Sequence, residues 1–160
     1  MSGQRLSADG RRVLEAFEGC RLAPYRDSGG RWTIGRGHLM QPGDRHEPIT
    51  QAEADALFER DLLPVEAGVT ELVRPELRQH EFDALVIFSF NLGLDIDSDQ
   101  VAEGLGDSTL LKLVNRENFA AAACEFPKWC LVNGKRDAGV LWRRCSEQAI
   151  FLLADYSRVP

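Results

Sequence analysis

At Gly19 the chain changes its hydrophobic period, and the change divides it into two unequal parts. Before it, Ser7 to Glu18 reads as a helix. Ser7 is placed to cap it, Val13, Leu14 and Phe17 share one face, and Gly19 is placed to end it in a left-handed C-cap. After it come Tyr25-Arg26-Asp27, the tight turn Ser28-Gly29-Gly30, and Arg31-Trp32-Thr33-Ile34-Gly35, in which Trp32 and Ile34 alternate with Thr33 as in a strand. Gln41-Pro42-Gly43-Asp44 makes another turn, and from Thr50 onwards the period is helical again. A hairpin near one end and helices elsewhere predict an α+β fold: a small N-terminal lobe containing a β-hairpin, joined by a helix to a larger, all-helical C-terminal lobe.

Thr50-Gln51-Ala52-Glu53 is a capping box that opens the connecting helix. Pro64 falls inside that helix, where proline removes a donor and crowds the preceding turn, so a kink or a break is expected there. Glu81 to Leu92 is the most apolar segment, ends at Gly93, and reads as a buried central helix. An acidic loop follows over 95–107, then helices over 108–115, 119–130 and 142–156. The 160 residues fit one domain, divided into a lobe at 1–48, a connecting helix at 49–75 and a helical lobe at 76–160.

Composition narrows the function. With 44% hydrophobic and 28% charged residues the chain is an ordinary globular one. The longest near-apolar runs, 84–90 and 149–154, fall far short of the ~18 residues of a membrane span, which argues against an anchor. The opening stretch MSGQRLSADGRR lacks an apolar core, so the expectation is synthesis in the cytoplasm without a signal peptide. A net charge of −6 argues against nucleic acid. That charge is uneven: residues 49–107 hold 14 Asp+Glu against 3 Lys+Arg, whereas 1–48 hold 6 against 8 and 108–160 hold 5 against 8. The acidity thus lies in the middle of the chain, and the first and last segments are mildly basic, a balance that suits an anionic polymer. Cys20, Cys124, Cys130 and Cys145 form no C-x-x-C, and His38, His46 and His80 lack zinc-like spacing, so free thiols, no metal and no cofactor are expected.

Chemistry concentrates in Phe17 to His38, FEGCRLAPYRDSGGRWTIGRGH. It sets Glu18 at a helix end, Asp27 nine positions later in a hairpin, and Thr33 six further on in the return strand. Two carboxylates held across a turn are what glycoside hydrolysis needs, one as acid and one as base or nucleophile. The negative helix end and the apolar neighbours Leu14 and Phe17 favour a protonated Glu18, whereas a turn favours an ionised Asp27. By itself such a pair is usually solvated surface.

The spacing E-G-x-R-L-x-x-Y-x-D-x-x-G-x-W-T-I-G-x-G-H, carried by Glu18 through His38, resembles the signature of bacteriophage-type lysozymes (endolysins, glycoside hydrolase family 24). Further along, Thr50–Glu53 with Leu57 to Asp61, Gln79 to Gly93, Ser108 to Leu111, and Trp142-Arg143-Arg144 with Glu147 resemble the same family, so the likeness spans roughly residues 7–157. It implies a lysozyme-like fold and a monomeric muramidase. The expected partner is the peptidoglycan glycan strand, cut at the β-1,4 bond between N-acetylmuramic acid and N-acetylglucosamine. Glu18 would be the general acid, Asp27 would orient and activate a water, and Thr33 would hydrogen-bond that water. The family inverts configuration, which implies carboxyl groups ~6.5–9.5 Å apart. Leu39, Phe90 and Thr109 match positions lining the glycan cleft. His38 would pair with Asp61, and Arg144 would pair with Glu18.

Two other functions compete. A lytic transglycosylase cuts the same bond with a single acid and leaves anhydro ends, but has no use for Asp27 and Thr33. A glycan-binding module that has kept the fold would usually have lost the acid. The setting stays open between phage lysis and a wall-degrading effector delivered by another device.

Overall fold

Serine and glycine bracket the first helix as their chemistry dictates. Ser7 accepts a hydrogen bond from the Gly10 amide at the start of α1 (Ala8–Glu18), and Gly19 ends it at φ +64°. The computed structural model describes residues 3–27, 29–97 and 103–159. Ser28 of the first turn and residues 98–102 of the acidic loop lie outside the described residues. Strands β1 (Arg21–Arg26), β2 (Trp32–Gly35) and β3 (His38–Leu39) form an antiparallel sheet in that order. Tyr25 stands opposite Thr33, and Thr33 opposite Leu39, so these three side chains form a row across one face.

The long helix α2 (Gln51–Leu72) opens on the expected capping box between Thr50 and Glu53 and packs against β2, β3 and α3 (Gln79–Leu92). No break occurs at Pro64; the helix runs through it for 22 residues. Arg60, Leu63 and Pro64 are exposed, so the carbonyl deprived of its donor lies on the wet side. Buried Phe58, Leu62 and Val69 hold both halves to the core. Helix α3 is the centre of the molecule: every residue from Glu81 to Ser89 is buried, and α1, α2 and α6 (Ala138–Leu153) pack around it.

The second lobe is not all-helical. Leu131–Val132 (β4) and Lys135–Arg136 (β5) pair as a small hairpin. Its turn, Asn133-Gly134, has both φ values positive, at +50° and +74°, as a two-residue hairpin loop requires. The helix expected over 119–130 also divides. After α4 (Thr109–Val114), α5 covers Phe119–Ala123, and a single 3-10 turn, Phe126–Lys128, carries Pro127. Asp137 starts α6 four residues ahead of Trp142 by accepting from the Val140 amide at 2.8 Å.

A buried carboxylate ties the two chain ends to this core. Asp83 accepts from the Ser7 amide at 3.0 Å, from the Ser7 hydroxyl, from Gln79 Nε2 at 2.8 Å and from the Tyr156 hydroxyl at 2.8 Å. Gly10 must lack a side chain here, because a Cβ would stand 2.8 Å from Asp83. Tyr156→Phe removes one donor to this charge and is expected to cost about 1.5–3 kcal/mol in denaturant unfolding. An unchanged midpoint would mean that Asp83 satisfies itself elsewhere.

Candidate active site

The sharp exit of α1 at Gly19 leaves Glu18 projecting towards the sheet, 16% exposed. Its Oε1 accepts from Arg143 at 2.8 Å. Its Oε2 lies toward Gly37, where a Cβ would come within 3.4 Å and where φ is +86°, so position 37 needs glycine on both counts. Glu18, Asp27 and Thr33 line one cleft of about 480 Å³ between the sheet and the C-terminal end of α3. Tyr25, Leu39 and Phe90 line it too, as do Asn91 to Gly93. Phe90 is anchored from behind by Phe58, with ring centroids 5.5 Å apart.

Asp27 sits in the hairpin turn with every oxygen engaged. Oδ1 accepts from the amides of Gly29 and Arg31 at 2.9 and 2.8 Å, and Oδ2 from Arg31 Nε and from its terminal nitrogen, each at 3.0 Å. The Arg31 amide above all, with the Arg31 guanidinium and the Gly29 amide, holds this carboxyl below the usual range against opposing desolvation. Thr33 is buried, and its hydroxyl donates to the Arg31 carbonyl at 3.3 Å, which leaves the oxygen's lone pairs able to accept.

Thr109 is not brought to this cleft; it is an exposed residue in the first turn of α4. The partner expected for Glu18 is also corrected: Arg143, not Arg144, makes the contact. Successive helix positions point about 100° apart, so only one of the two can face Glu18. Arg143 bridges Glu18 and Glu147 at 2.8 and 3.3 Å and stacks over Phe17. Arg144 points inward, fully buried, and donates to Glu147 at 2.8 Å and to Asn91 at 2.9 Å. Burial pushes the Glu147 carboxyl up to about 7 against the pull of the two guanidiniums. Phe17 and Leu14 do flank Glu18 in sequence, yet the guanidinium of Arg143 makes its surroundings far less apolar than expected.

His38 on β3 hydrogen-bonds Asp61 on α2, Nδ1 to Oδ2, at 2.7 Å, and Arg60 donates to its Nε2 at 3.1 Å. His38 and Asp61 thus stand together as the expected pair. It fastens the sheet to the connecting helix outside the row that faces Asp27. Asn91, Arg31 and Arg143 are site residues that the sequence did not single out. Among the described residues no group of His, Cys, Asp and Glu is placed to hold a metal ion, and no helix is long and apolar enough to cross a membrane. The four thiols are free, with Cys130 buried.

The sequence profile of the phage lysozyme family matches residues 15–147. The endolysin of Acyrthosiphon pisum secondary endosymbiont phage 1 is 35% identical over 152 residues, 91% of this chain and 97% of its own. Two further relatives are longer, and the chain spans 55% and 56% of them. Among solved structures, the endolysin from Escherichia coli O157:H7 phage FAHEc1 superposes with a TM-score of 0.83 at 30% identity, over 97% of this chain and 98% of the other. The muramidase domain of SpmX from Asticaccaulis excentricus gives 0.79 at 35% identity, over 93% of this chain and 98% of the other.

Proposed function

The chain belongs to the phage lysozyme family and is a glycoside hydrolase, and we propose that it is a muramidase that cuts peptidoglycan between N-acetylmuramic acid and N-acetylglucosamine with inversion. The observation that carries this reading is the meeting of Glu18, Asp27 and Thr33 in one cleft, from a helix end, a turn and a strand. Glu18 protonates the glycosidic oxygen as the bond to the leaving sugar breaks. Arg143 on Oε1 fixes the carboxyl in place and leaves Oε2 to carry the proton. On the opposite face of the ring a water attacks, with Asp27 taking its proton and the Thr33 oxygen accepting its other hydrogen. Tyr25, Leu39 and Phe90 provide apolar surface for the sugar rings.

The partner is therefore the glycan strand, and the phage endolysins among the relatives support a role in lysing a bacterial cell from a protein released or delivered to the wall. Digestion of purified glycan followed by nuclear magnetic resonance tests the chemistry. An inverting hydrolase first releases the α-anomer at the new reducing end; β-anomer first means retention, and anhydro ends mean a lytic transglycosylase.

Thr33→Val removes one hydrogen bond to the attacking water and keeps the shape of the side chain. Its kcat is expected to fall about 10- to 100-fold with KM little changed, the effect of one bond to a group that gains charge in the transition state. A wild-type kcat would take Thr33 out of the scheme.

A further inference from the structure

The carboxylate assigned to activate water is covered in the free protein. The two amides on Asp27 Oδ1 belong to the turn itself and stay with it. The two donors on Oδ2 come from a long side chain, Arg31, which is 67% exposed at the rim of the cleft. A water that gives its proton to Asp27 needs Oδ2 free, because Oδ1 is already spoken for by backbone. The guanidinium must therefore leave Oδ2 before the reaction. An exposed pair of this kind is weak and exchanges readily for another carboxylate of the same geometry.

Among the described residues the cleft supplies no second partner of its own for that guanidinium: the other charged lining group is Glu18, which is held by Arg143. Muramyl glycan carries carboxylates, either on the lactyl group of the muramic acid or on the peptide attached to it. A planar fork at the rim fits such a group two bonds at a time. We propose that Arg31 is a specificity-determining residue that exchanges partners, holding Asp27 in the free protein and a carboxylate of the glycan strand in the complex, so that a carboxylate-bearing strand uncovers Asp27 as it binds. This rests on the muramidase reading above.

The exchange has a signature in pH. Among the described residues, the titratable and charged groups that share the cleft with Asp27 are Arg31 on its own hairpin, Tyr25 on β1 and Glu18 from α1; the stretch of α3 that lines the cleft, Phe90 to Leu92, carries none. The acid limb of kcat/KM reports Asp27 in the free protein and that of kcat reports it in the complex. Arg31→Ala deletes the guanidinium that favours the ionised form, so the kcat/KM limb moves to higher pH. The kcat limb stays where it is, because in the complex Arg31 has already left.

Three strands test the selection: peptide-bearing glycan, glycan stripped to the free lactyl carboxylate, and stripped glycan with that carboxyl converted to a neutral amide. Wild type is expected to prefer at least one charged strand over the neutral one by about tenfold in kcat/KM. Whichever charged strand is preferred identifies the source of the carboxylate. Arg31→Ala loses the preference, and Arg31→Lys, which keeps the charge without the fork, regains part of it. An equal preference in wild type and Arg31→Ala, or a shift of both acid limbs together, overturns the exchange. Wild type that cleaves none of the three strands overturns the muramidase reading instead, and that failure is visible before any variant is made.

Discussion

Glu18→Gln is expected to yield a folded protein whose glycan cleavage is slower by about 10²- to 10⁴-fold, the usual contribution of a general acid. The substitution isolates the proton. Glutamine keeps the shape of the side chain, and its carbonyl oxygen still accepts from Arg143, the contact that fixes Oε1 at 2.8 Å in the protein. What it lacks is an acidic hydrogen for the leaving oxygen. The loss should appear in kcat, because the interaction removed is one made in the transition state. Glu15→Gln, one turn earlier on α1, is the matched control. Glu15 pairs with Arg11 and lies outside the cleft, so its variant should keep activity within about twofold and stability within about 0.5 kcal/mol. Initial rates on purified glycan decide. A Glu18→Gln protein that retains more than about a tenth of the wild-type rate, a loss below 1.4 kcal/mol, would remove Glu18 from the role of acid.

The sequence revealed those parts of the fold that local chemistry determines. Ser7, Gly19 and the Thr50–Glu53 box each satisfy helix ends with their own side chains or backbone freedom, so α1 and the start of α2 were legible without tertiary information. The run 81–89 was legible because only a central helix buries apolar residues all round. Pro64 does not break α2 because packing outweighs propensity: the helix continues where the orphaned carbonyl faces water and the opposite face is held by Phe58 and Val69. The Asn133-Gly134 turn was a readable hairpin signal that the helical period on both sides obscured. In the site, a linear motif orders Glu18, Asp27 and Thr33 but contains nothing from α3 or α6. Asn91 enters the cleft only because α3 ends there, and the choice between Arg143 and Arg144 depends on the rotation of α6 about its axis. One position of rotation sends one arginine to Glu18 and the other into the core.

That inward arginine is where the second large effect is expected. Arg144→Met should lower stability by about 3–5 kcal/mol at pH 8, since it strands Glu147 in the core beside a single remaining guanidinium. Thermal unfolding should then fall by roughly 10–15 °C. At pH 5 the loss should be smaller, about 1–2 kcal/mol, for the following reason. Burial raises the Glu147 carboxyl to about 7, so the stability tied to its protonated form is complete below the unfolded value and is lost as pH rises through 7. Removing Arg144 takes away a charge that pulls this carboxyl down, so in the variant the loss continues to still higher pH. Wild type and variant therefore match most closely in acid, where Glu147 is neutral in both, and diverge as the solution becomes alkaline. Adding Glu147→Leu should recover most of the alkaline deficit, because a buried pair replaced by apolar groups is often neutral. Arg143 then keeps Glu18 but loses its second anchor, so recovered stability with a reduced kcat would show that the buried pair positions the acid through Arg143. A penalty of equal size at pH 5 and pH 8 would mean that Glu147 does not titrate in this range, and that Arg144 stabilises the core through Phe88 and Asn91.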